Sequence, residues 1–108
     1  MSPIYVVYGR TGEYSSRSEW AVRAFRSEEA AKDFRQQLLD AVRELGCGRG
    51  DEKARDFPGY YQEEIETDKD YAHFREPWRR LKALDPNFTA QYTGTDYSYY
   101  SVPLEDTP

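Results

Sequence analysis

One cysteine, one histidine and no apolar run longer than Ile4–Tyr8 set the first limits on this 108-residue chain. Cys47 alone forms no internal disulfide and no Cys-rich zinc site. His73 leaves any nucleophile a single candidate histidine base. The run Ile4–Tyr8 falls far short of the ~18–20 residues that span a bilayer. The opening MSPIYVVYGR lacks the basic stretch and apolar core of a secretory signal, so a cytoplasmic protein without membrane contact is the expectation. Aliphatic bulk is scarce as well. Ile, Leu, Val and Phe number eighteen, under the ~20% level at which disorder becomes a concern. Excess positive charge is absent: the net charge is −5 and the pI is about 4.9. That balance disfavours direct nucleic-acid binding, which needs Lys and Arg against phosphates, and favours contact with a basic surface.

Aromatic residues fill the gap. Ten Tyr, five Phe and two Trp can each bury about 150–250 Å², which predicts one domain over residues 1–104 built on rings, with a frayed tail at 105–108. Ile4–Tyr8 is β-branched and aromatic, and reads as a covered strand. Trp20–Arg26 alternates, with Trp20, Val22 and Ala24 on one side and Ala21, Arg23 and Phe25 on the other. The two form a hairpin with a long connection over Gly9–Glu19. Ser27 offers an N-cap, Glu28 and Glu29 suit a first turn, and Ala31, Phe34, Leu38, Val42 and Leu45 recur at helical spacing up to Gly46. An amphipathic helix over Glu28–Leu45 follows. Cys47–Gly59 reads as a loop, Tyr60–Phe74 stays ambiguous, and Pro77–Leu84 is a short helix. Phe88–Thr93 and Tyr97–Val102 are two short strands around Gly94–Asp96, or one long bent strand. The expected fold class is α+β: a three- or four-stranded, mainly antiparallel sheet, with one long amphipathic helix and one or two short helices on one face.

No set of residues spells a reaction. Gly9-Arg10-Thr11-Gly12 lacks the lysine and hydroxyl of a phosphate loop and precedes a strand. Gly46–Gly50 follows a helix, so its glycines are turn glycines. Cys47 beside Arg49 needs a base that only His73 could supply. Asp68, Asp70 and His73 lack the glycine and distal glutamate of a calcium loop. No metal site and no cofactor are expected. Two surfaces remain. The first is acidic: Asp51–Asp70 carries eight acids against three bases, and Glu63, Glu64, Glu66, Asp68 and Asp70 form either a solvated face or a dock for a basic partner. The second is tyrosine-rich, with Tyr8, Tyr14, Tyr92, Tyr97, Tyr99 and Tyr100 divided between core and interface.

The stretch VYGRTGEYSSRSEW, taken with YTGTDYSYYSVPL, resembles the opening VYGxTGEYSxRxEW and ending YTGTxYxxYxVPL of a group of short uncharacterised proteins encoded by bacteriophages and prophages. The matching residues include Tyr8, Gly9, Thr11–Ser15, Arg17, Glu19 and Trp20, then Asp85-Pro86, Tyr92–Thr95, Tyr97 and Tyr100. The resemblance implies a phage source, hence a host bacterial cytoplasm, and brings no activity with it. It draws attention to Glu13, Tyr14, Arg17, Thr93, Thr95 and Asp96 as a joint polar surface, extended by Tyr97 and Tyr99. The expected function is a non-catalytic accessory factor that binds a host protein or ribonucleoprotein complex and inhibits or modulates it, in the manner of an anti-defence (anti-CRISPR-like) protein. A small hydrolase or transferase using the Thr11–Glu19 loop, and a phage structural or assembly component, stay open as alternatives, as does a homodimer.

Overall fold

The structure is a computed structural model that describes residues 3–50, 62–90 and 93–104; of these, the side chains of Ser16 and of residues 62–64 are not described. Three antiparallel strands, β1 (Pro3–Thr11), β2 (Ser18–Phe25) and β3 (Thr95–Pro103), form a sheet in the order β2-β1-β3. Three helices, α1 (Glu28–Leu45), α2 (Gln62–Thr67) and α3 (Arg75–Leu84), complete an α+β fold. None of the described helices is long and apolar enough to cross a membrane.

Helix α1 has the expected bounds because every signal for it is local. Ser27 Oγ accepts from the Ala30 amide at 3.2 Å, and Gly46 ends the helix at φ 72°, a conformation that costs glycine nothing. Ala31, Phe34, Leu38, Ala41, Val42 and Leu45 are buried and meet Val7, Cys47, Ile65, Trp78, Leu81, Phe88 and Tyr97 in one core.

Strand β2 departs from simple alternation. Val7 pairs with Arg23 but Tyr8 pairs with Ala21, so the register shifts between them and Val22 is an extra residue. Such a bulge reverses the facing of everything beyond it. Trp20 and Phe25, expected on opposite sides, therefore both pack against the core: Phe25 lies 5.3 Å from the Phe34 ring and Trp20 6.3 Å from Tyr97.

Other boundaries also move. Strand β1 runs on through Arg10 and Thr11, which shortens the connection to a 3-10 turn at Tyr14–Ser16 and its flanks. The ambiguous segment holds α2 and a 3-10 turn, Lys69–Phe74. Helix α3 starts at Arg75, two residues before Pro77, whose missing amide hydrogen falls among the first-turn donors that lack an intrahelical partner. Among the described residues only one strand, β3, forms near the end. Phe88 and Ala90 are buried in irregular chain, with Phe88 edge-on to Trp78 at 5.7 Å; Tyr92 lies outside the described residues, as do Asp51, Glu52, Asp56 and the tail 105–108. The described start of the loop after α1 joins the sheet. Gly48 bridges Thr95 in parallel, with Thr95 N donating to Cys47 O at 2.8 Å and Arg49 N to Thr95 O at 3.0 Å.

Candidate functional site

Antiparallel pairing of Thr11 with Thr95 brings the Thr11–Gly12 and Thr93–Thr95 turns together at one end of the sheet. Thr11 Oγ1 donates to Gly94 O at 2.8 Å and Gly12 N to Thr93 Oγ1 at 3.0 Å. Thr95 Oγ1 donates to Thr89 O at 2.7 Å. The threonines thus join the two turns and leave the loop between β1 and β2 to be displayed. At its tip Tyr14 has φ 53° and is 93% exposed. A non-glycine residue in the left-handed region with its ring in solvent is held by the turn rather than by burial.

Two residues expected on this surface are interior. Thr95 is 1% exposed and Tyr97 is fully buried, so neither is available to a partner. The reason is strand parity: Thr95, Tyr97 and Tyr99 share the face of β3 turned to the helices. Tyr99 is half-buried there, edge-on to Tyr5 at 6.3 Å with its hydroxyl 3.4 Å from Glu28 Oε2. Asp96 points the other way and pairs with Arg10 at 3.0 Å.

Tyr97 belongs to a buried polar cluster centred on Asp85, which is 0% exposed. Asp85 Oδ2 accepts from Tyr97 OH at 2.6 Å and from Trp20 Nε1 at 2.9 Å, while Oδ1 accepts from the Asn87 amide at 3.2 Å. Gly9 makes room for it: a Cβ there would stand 2.5 Å from the Trp20 ring and 2.9 Å from that of Tyr97. Burial, then the Asp85 charge and the hydrogen bond to it, push the Tyr97 phenol far above its ordinary range. Above about pH 10 the unfolded chain therefore gives up a proton that the folded chain keeps, and stability falls by ~1.4 kcal/mol per pH unit from this group. Alkaline denaturation should show this slope, and Tyr97→Phe should remove it.

Two of the acidic candidates, Glu66 and Asp68, serve local structure. Arg79 forks onto Glu66 at 2.6 and 3.2 Å, and this hydrogen-bonded pairing holds the Glu66 carboxyl below its usual range. Asp68 Oδ1 caps the following turn through the Asp70 amide at 2.9 Å. Asp70 is exposed; the side chains of Glu63 and Glu64 lie outside the described residues. Cys47 is buried with its thiol 3.7 Å from Val42 O, and His73 lies against the Phe74 ring at 4.1 Å.

Beside the displayed loop the structure adds Arg10 and Arg49, which the sequence did not place there. Arg10, Gly12, Glu13, Tyr14, Arg17 and Arg49 line an open groove of about 520 Å³. On the sheet face away from the helices, Tyr8 and Tyr100 pack at 5.5 Å, with Tyr100 49% exposed. They share a second groove of about 300 Å³ with Glu19, Trp20 and Ala21. Strand parity alone would have put Tyr8 and Arg10 on one face, but Arg49 reaches the groove only through the Gly48–Thr95 bridge. Comparison with family models, with curated proteins and with solved structures gives no match, so function rests on these surfaces themselves.

Proposed function

We propose that the chain is a non-catalytic binding domain, a phage accessory factor that docks on a host protein or ribonucleoprotein complex and inhibits or modulates it, with a bacterial defence machine as the partner class. The observation that carries the reading is a sheet face that no described helix covers. Among the described residues every helix that contacts the sheet packs on the other side, where the core lies, while Tyr8 and Tyr100 pack together on the open side and Tyr14 projects at its end. Tyrosine rings of this kind supply contact area at low entropic cost and are enriched in hot spots. A standard interface takes about 800 Å² per partner, roughly a tenth of a surface of 7030 Å². The net charge of −5 suits a basic partner surface and faster encounter with it.

The test is affinity purification from host lysate, followed by titration of the identified partner against wild type, Tyr14→Ala and Tyr100→Ala. Each substitution should weaken binding by about tenfold or more; the melting temperature should be unchanged in Tyr14→Ala and slightly lower in Tyr100→Ala, which gives up its ring contact with Tyr8. Stoichiometric addition should also depress the partner's activity. Equal affinity of all three proteins would overturn the reading.

A further inference from the structure

The groove beside Tyr14 differs in kind from the open sheet face. Three of its six lining residues are arginines, in a chain that is acidic overall. They come from separate parts of the fold: Arg10 from β1, Arg17 from the turn after it, and Arg49 from the segment that the Thr95 bridge fixes beside the sheet end. Such convergence is not a by-product of one charged helix face. Their donors are far from used up. A guanidinium has five N–H groups. Arg10 gives Nη2 to Asp96, and its Nε has no hydrogen-bond partner among the described residues. Arg17 is exposed and gives Nη2 to Glu19. Arg49 is exposed and has no ion pair among the described residues.

We propose that this groove binds a nucleoside polyphosphate, with the phosphates among Arg10, Arg17 and Arg49 and the base against the Tyr14 ring. Guanidinium forks match phosphate oxygens two at a time. A base stacked on an aromatic face contributes whatever its sequence identity, and Tyr14 offers a ring that is 93% exposed. Glu13 also lines the groove. A carboxylate opposes a bare phosphate cluster but accepts hydrogen bonds from sugar hydroxyls, which favours a nucleoside over inorganic anions. The volume of about 520 Å³ falls in the ordinary range for small-ligand sites, roughly 300–1,000 Å³. Overall acidity discourages a long polyanion but not one compact phosphate group held at short range, since charges more than ~10 Å away are screened at moderate salt.

The groove shares Tyr14 with the proposed docking surface, but its test needs no partner. Isothermal titration of the full chain uses ATP, adenosine and tripolyphosphate as separate probes. ATP should bind saturably in the micromolar range and more tightly than tripolyphosphate, and adenosine should bind weakly. Arg49→Gln and Arg17→Gln should each weaken ATP about tenfold, the loss expected for one charge-assisted contact. Tyr14→Ala should weaken ATP about tenfold and leave tripolyphosphate unchanged. Both arginines are exposed, so thermal melts of these variants should overlay wild type. Absence of ATP binding at ~1 mM, or ATP affinity indifferent to both arginines, overturns the proposal. So does tripolyphosphate binding as tightly as ATP with no effect of Tyr14→Ala.

Discussion

Asp85→Ala should lower the free energy of unfolding by about 3–5 kcal/mol, read as a fall in the urea midpoint at unchanged m-value. The carboxylate is fully buried and answers three donors: the Tyr97 hydroxyl, the Trp20 indole N–H and the Asn87 amide. Removing it strands the buried Tyr97 hydroxyl and the half-buried Trp20 N–H, while the amide of exposed Asn87 can turn to water. Each buried unpaired donor costs ~1–3 kcal/mol, and the emptied site adds a cavity cost. A water entering the vacated space holds the total below the simple sum. Asp85→Asn gives a sharper check. One of its two terminal atoms must be an NH2 group, which meets either the Asn87 amide or the Trp20 N–H donor to donor. Its cost should therefore fall between wild type and alanine, near 1–3 kcal/mol. An Asp85→Ala protein as stable as wild type would mean that the cluster contributes nothing to holding α3, β2 and β3 together.

Gly94→Ala should cost about 3 kcal/mol and lower the melting temperature by more than about 10 °C. Two effects add. Gly94 sits at φ 82°, where an L side chain costs ~1–2 kcal/mol. A Cβ there would also stand 2.3 Å from Gly48 O and 2.9 Å from Arg49 Cα. Both are main-chain atoms, so the relief is not a rotamer change but separation of the Gly48–Thr95 bridge. The Thr95 N to Cys47 O and Arg49 N to Thr95 O bonds then go with it. Gly50 provides the control: its φ is 88°, but a methyl group added there would meet nothing within 4 Å. Gly50→Ala should lose only the backbone part, about 1–2 kcal/mol. Similar losses at the two positions would show that the close approach to Gly48 is unimportant.

Sequence carried the local features and missed those made by pairing. Ser27, the stripe from Ala31 to Leu45 and Gly46 define α1 without reference to any other segment, and its ends came out as expected. The facing of β2 did not, because the bulge at Val22 exists only in register with β1. Apolar and aromatic content suggests strand over Phe88–Thr93, as a separate strand or as part of one bent strand, but among the described residues Phe88 packs on Trp78 in irregular chain; apolar burial looks the same in sequence either way. The candidate surface divides along the same line. Glu13, Tyr14 and Arg17 occupy one contiguous turn and were legible as a group. Tyr97 was not, since a tyrosine that ends on a buried carboxylate and one that ends in water are spelled alike. Arg49 joins the groove across a bridge to Thr95, a contact that no local pattern announces.

Pro3 pairs with Pro103 across the β1–β3 ladder, so the middle strand waits for a neighbour that is synthesised nearly a hundred residues later. On a ribosome the hairpin and α1 emerge first, yet two strands alone are only marginally stable in water. Until β3 arrives, Ile4–Tyr8 presents an open edge to other nascent chains, and closing so long a loop makes that step slow. The last strand is thereby the latch of the molecule: it brings Tyr97 to the core, Asp96 to Arg10 and Thr95 to Gly48 in a single event. A protease or chaperone that captures this segment before it docks leaves neither a sealed interior nor a formed groove.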